Sequence, residues 1–234
     1  MARLPPREAT MSQLEHLFAA GVRFDTEVQY RALGAGGIQY QRLPIRRSTS
    51  ASECAVLSVL QCVAVLGQIP RNRLMGRLRH ATRSDQGDHD TPVEEDALLR
   101  YLRPFAPSLT AKVLISSDAS RIGTAALHAI RSGRMALVRF ESPTASRWAT
   151  VIGVELERKG SGGNPVRALL LLDSSASEPW ACAHNARLEL GGIASPSVHA
   201  RAGFPLNCRC LTGEACAVRL HSLITLRRAP CVSC

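Results

Sequence analysis

Residues 50–67 read "SASECAVLSVLQCVAVLG": small polar residues, one acid, a cysteine, and then an almost wholly apolar run. A thiol at the start of a helix meets unpaired backbone N–H groups and the positive end of the helix dipole, which favour its thiolate. Cys54 is therefore a candidate nucleophile. To act as one it needs a nearby base, usually histidine, and a group that orients the base. The competing readings are a metal ligand and core filling, since cysteine is among the residue types most often buried. A second group of thiols lies late in the chain: "NCRC" at 207–210, Cys216, and "CVSC" at 231–234. Cys208, Cys210, Cys231 and Cys234 make two close-spaced pairs, the arrangement that turns four thiols toward one zinc ion. A disulfide, a redox pair and free thiols remain open beside zinc, and Cys216 reads as part of a strand.

The elements that must position these groups follow from periodicity and punctuation. Leu14, Leu17 and Phe18 share one helical face, which predicts a short amphipathic helix over 10–21. A glycine-rich turn and an extended segment follow. Ser48 to Ser52 can cap the helix that carries Cys54, with Glu53 suited to its first turn. "PRNRLMGRLRHA" predicts a second helix, and Thr91-Pro92 followed by Glu94 and Glu95 opens a third. "AKVLISS" is a short strand, and "SRIGTAALHAIRSG" a helix stopped by Gly133. The pattern then turns to strands: "RMALVRFES", "RWATVIGVELE", "RALLLLDSS", "ARLELGG" and "EACAVRLHSLITLRR". Helices first and an antiparallel sheet afterwards describe an α+β protein. The expected division is an N-terminal extension with a short helix at 1–44 and one domain at 45–234.

The 234 residues are enough to bury a core, and apolar content at 45% argues against wholesale disorder. The net charge of +10 comes almost entirely from arginine, because Lys112 and Lys159 are the only lysines. Those arginines are dispersed and no basic run is interleaved with aromatics, so a dedicated nucleic-acid site is the minority reading. No apolar stretch reaches the roughly 18 residues of a membrane span. The first residues lack the apolar core of a secretory signal, which points to a reducing cytoplasm, with export by a non-classical route left open.

The order of motifs resembles the papain-like C39 cysteine peptidases. In that family an acid–cysteine pair opens an apolar helix, as in "SECAVLSVLQCVAVLG". A loop and a helix follow, similar to "QGDHDTPVEEDALLRYL", and then a helix and strand similar to "ALHAIRSGRMALVRF". The strand "RWATVIGVE" resembles the family's His-aromatic strand, and "ALLLLDSS" the strand that ends in its aspartate. The resemblance spans about residues 45–180. It implies a papain-like α+β fold, with the helical N-terminal part packed on an antiparallel sheet from the C-terminal part. It also implies a groove for a peptide or protein, with Cys54 at the nucleophile position and Asp173 at the orienting position.

Arg147 stands where the family has its catalytic histidine, Ala55 where it has a glycine, and residues 46–52 hold no oxyanion glutamine. Gln39 and Gln41 lie further upstream. A guanidinium stays protonated at neutral pH and cannot take a proton from a thiol. Two readings compete. Either Arg147 and Asp173 form an ion pair in a groove that binds without cleaving, or a histidine from a loop (His89, His184 or His199) serves as base. The first is preferred because a base must lie within hydrogen-bond reach. The reading is thus a peptidase-like protein that acts on or binds peptide at Cys54 with impaired catalysis. The alternative is an inactive interaction module, or a basic binder of nucleic acid or acidic partners.

Overall fold

A computed structural model describes residues 13–34, 36–43, 45–48, 50–67, 91–158, 164–191 and 203–229. Among them are eleven strands and three helices. The strands are β1 (Gln13–Phe18), β2 (Val22–Phe24), β3 (Val28–Gly34), β4 (Gly37–Arg42), β5 (Leu109–Ile115), β6 (Met135–Glu141), β7 (Ser146–Arg158), β8 (Val166–Leu172), β9 (Ala186–Glu189), β10 (Leu206–Cys210) and β11 (Ala215–Arg228). The helices are α1 (Ala51–Val65), α2 (Glu95–Leu102) and α3 (Ala119–Arg131). No helix among the described residues is long and apolar enough to cross a membrane.

Six strands close into an antiparallel barrel in the order β7-β6-β11-β10-β9-β8, with β8 pairing back onto β7. Two long strands make closure possible. One edge of β7 pairs with β6 over Ser146–Val151 and with β1 over Gly153–Arg158, while its other edge carries β8. One edge of β11 likewise takes β10 and then β5, and the other takes β6. Pairing that returns to its own start leaves the barrel strands without a free edge.

Burial follows from this arrangement. β7 is buried continuously from Trp148 to Glu157, because one face lies in the barrel and the other lies under helices. α1, buried from Cys54 to Ala64, packs on β7 and β6, and α3 packs on β7, β8 and β11. Ser58 Oγ donates to the Trp148 carbonyl and Thr150 Oγ1 donates to Gln61, so the polar atoms of the α1–β7 interface are satisfied. Gly153 lies where β1 crosses β7. A Cβ there would sit 2.8 Å from the Leu17 carbonyl oxygen. A small meander, β2-β3-β4, stands beside the barrel.

The papain-like α+β architecture expected above is not what the chain adopts. The described residues are mostly strand, and the sheet is a closed barrel, not a face on which a helical half rests. The predicted helix at 10–21 is strand β1. Leu14, Leu17 and Phe18 fit the helical period and not alternation, but the edge of β7 beyond Ile152 supplies a strand partner, and that pairing decides for strand. The segments at 22–42 form three strands where one extended segment was expected. The helix predicted in "PRNRLMGRLRHA" lies outside the described residues.

Candidate functional site

α1 begins where the sequence placed it. Ser50 is the N-cap, its Oγ accepting from the Glu53 N–H, and Ser48 Oγ donates to Glu53 Oε2 at 2.5 Å. The segment before α1 is tied to the end of β8, since Ser48 N–H donates to the Ser174 carbonyl at 2.7 Å. Those bonds bring the head of α1 against the strand ends that carry Arg147 and Asp173.

The three positions taken from the resemblance do come together. Cys54 and Arg147 line one cavity of about 590 Å³, along with Ser146, Ser175, Cys210 and Cys216. Arg147 Nη1 lies 3.7 Å from Asp173 Oδ2 and donates to Ser175 Oγ. Asp173, 2% exposed, accepts at Oδ1 from the Ser175 N–H at 2.8 Å and from Ser175 Oγ at 2.7 Å. Asn185 locks the same corner. Its Oδ1 accepts from the Asp173 N–H, and its Nδ2 donates to the Asp173 and Ser177 carbonyls. Sequence reasoning missed Asn185 and Ser175; Ser175 ends the quoted "ALLLLDSS" but drew no role there, and only the fold brings Asn185 beside Asp173.

Cys54 itself is not armed. Burial, the Asp173 carboxylate and Glu53 push its thiol up to about 12, while Arg147 acts in the opposite direction. The thiol donates to the Ser48 carbonyl at 3.5 Å. Although Cys54 heads α1, the residue is 2% exposed, and its burial is the largest influence on the thiol. No described histidine lines the cavity. His16 contacts Glu155, His221 contacts Glu141, and His184 lies edge-on to His16 with ring centroids 6.0 Å apart. His89 and His199 lie outside the described residues.

The late cysteines divide. Cys231 and Cys234 lie outside the described residues, so the Cys₄ zinc set has only Cys208 and Cys210 in view. No group of three or more His, Cys, Asp or Glu among the described residues is placed to hold a metal ion. Cys208 is buried directly opposite Cys216 on the β10–β11 hairpin, and each thiol shifts the other. Cys208 and Arg147 lower the Cys216 thiol against burial and Asp173, whereas burial and Asp173 push Cys210 up to about 11. Cys216, read from sequence as part of a strand, is the cavity thiol whose pKa is lowered.

No protein-family model matches the chain, and no curated protein matches it.

Proposed function

We propose that the protein binds a peptide through a terminal or side-chain carboxylate in the cavity beside Cys54, and does not cleave what it binds. The observation that carries this reading is the state of Arg147. It is the only cation lining the cavity among the described residues, its side chain is 23% exposed, and it is braced by Asp173 and Ser175. A guanidinium has five N–H donors in a fixed fork, so one held this way keeps donors for a carboxylate. Thr144, Ser146 and Ser175 add short polar groups to the wall. The pocket volume lies within the range of small-ligand sites, roughly 300–1,000 Å³, which suits the end of a peptide better than a folded surface.

Hydrolysis lacks support at two points. Cys54 is a protonated, buried thiol, and the group at the base position cannot accept a proton. The Arg147–Asp173 pair satisfies a 2%-exposed carboxylate without serving proton transfer.

The test is a random peptide array presented in two forms, with free and with amidated C-termini, to wild type, Arg147→Gln and Cys54→Ala. The expected result is carboxylate-dependent binding that drops at least about tenfold in Arg147→Gln. Cys54→Ala should bind as wild type does, and the recovered peptides should be intact by mass. Peptide cleavage that disappears in Cys54→Ala would overturn the reading, as would binding indifferent to both carboxylate and Arg147.

A further inference from the structure

We propose that Cys208 and Cys216 form a dithiol–disulfide pair that exchanges with a small, carboxylate-bearing disulfide entering the cavity beside Arg147. This goes beyond peptide binding and stands whether or not the cavity takes a peptide.

The hairpin geometry places the pair. The Cys210 N–H donates to the Glu214 carbonyl at 2.8 Å, which closes the turn between β10 and β11. Hydrogen-bonded and non-hydrogen-bonded pairs alternate along an antiparallel ladder. With Cys208 directly opposite Cys216, that pair is again of the hydrogen-bonded kind. Its Cα atoms are then about 5.5 Å apart, inside the Cα span of about 4.4–6.8 Å that a disulfide bridges, and the Cβ atoms, also about 5.5 Å apart in such a pair, draw in by about 1 Å when the bond forms. Directly opposed residues point to the same face of the sheet, so the two side chains face each other. Both are free.

Burial assigns the roles. Cys216 is half-buried and lines the cavity, while Cys208 is 2% exposed behind it. An incoming disulfide therefore meets Cys216 first. The Cys216 thiolate attacks one sulfur of R–S–S–R, forming a Cys216–S–S–R bond and breaking the original S–S bond, and the first R–S⁻ leaves. The Cys208 thiol passes its proton to the departing thiolate and attacks the Cys216 sulfur. The Cys208–Cys216 disulfide forms, and the second R–S⁻ departs and is protonated from solvent. One R–S–S–R is reduced to two R–SH, and the protein dithiol is oxidised by two electrons.

The surroundings favour Cys216 among the cavity thiols. Cys208 and the Arg147 guanidinium favour its thiolate, while burial and Asp173 oppose them. Cys54 and Cys210, which line the same cavity, are both pushed up by burial and by Asp173. Arg147 also meets the carboxylates of the substrate, with Glu214 the one acid among the described lining residues.

The test uses the full chain, reduced and then equilibrated with oxidised glutathione at pH 7, quenched, alkylated and mapped after trypsin. Cleavage after Arg209 separates Cys208, in 202–209, from Cys210 and Cys216, in 210–219. The expected product is a cross-link between these two peptides, with two glutathiones released per chain. Cys208→Ala should trap a glutathione mixed disulfide on Cys216, Cys216→Ala should form neither product, and Cys210→Ala should still cross-link. Arg147→Gln should slow the reaction at least about threefold at pH 6, since it removes both a charge that favours the Cys216 thiolate and the partner of the substrate carboxylate. The proposal is overturned if native wild type keeps both thiols free under excess oxidised glutathione. It also falls if the bond joins Cys210 to Cys216, or if glutathione lodges on Cys54. The wild-type arm decides alone should a variant fail to fold.

Discussion

His184 offers a stability prediction that can be worked through. The side chain is buried at the end of β8–β9, edge-on to His16 and close to Arg187 and Glu155. Its Nδ1 has no hydrogen-bond partner among the described residues. Burial, then the positive charge of His16 and Arg187, lower its pKa to about 4, with Glu155 opposing. In the unfolded chain the imidazole returns to about 6.5. Above that value both states are neutral and the difference costs nothing. As pH falls below it, the unfolded chain takes a proton that the folded chain refuses, so stability is lost until the folded pKa is reached. Between pH 7 and pH 4.5 the loss from this one group is about 2 kcal/mol. Urea unfolding of wild type and His184→Gln at both pH values checks it, since the carboxylates titrate in both proteins. The variant should lose about 2 kcal/mol less than wild type over that interval. Equal losses would refute the reasoning and place His184 in contact with solvent.

Other perturbations separate the parts of the account. Under 4,4′-dithiodipyridine at pH 7, Cys216, whose thiol Cys208 and Arg147 lower, should react at least about tenfold faster in peptide mapping than Cys54, which is pushed up to about 12. Arg139, buried on β6, holds Glu94 and Glu95 at the start of α2, and Ser222 Oγ donates to Glu95. Arg139→Met should destabilise by about 3 kcal/mol in denaturant unfolding, because it leaves the largely buried Glu95 without its cation. Gly153→Ala should cost about 1–3 kcal/mol and loosen β1, read as faster hydrogen exchange at Leu17 and Phe18 with the β6–β11 amides unchanged.

The site was more legible in the sequence than the fold that carries it. Cys54 at a capped helix head, Arg147 before an apolar strand and Asp173 at a strand end are local signals, and each element formed where its pattern lay. Their convergence reflects three tethers, namely the bond from Ser48 to Ser174, the Asn185 lock on Asp173, and α1 lying on β7. Barrel closure is not a local property. It depends on β8 pairing with both β7 and β9, and no period within "RALLLLDSS" says that both edges are taken. β2 and β10, at three and five residues, are too short for alternation to separate them from loops, while β3 alternates as VQYRA and went unassigned. The Cys208–Cys216 pairing is a matter of register, fixed by the turn at Leu211–Gly213. Spacing alone grouped Cys208 with Cys210 instead.

The central claim is that the thiol heading α1 lies in a binding cavity without a base. The most direct measurement is the pH dependence of Cys54 alkylation by iodoacetamide, in wild type and in Arg147→His. The account predicts that wild-type Cys54 stays unmodified through neutrality and reacts only as its own high pKa is approached, while a histidine placed beside it raises reactivity near neutral pH. Ready alkylation of wild-type Cys54 at pH 6, with an inflection that follows a histidine, would contradict it and return the site to nucleophilic catalysis.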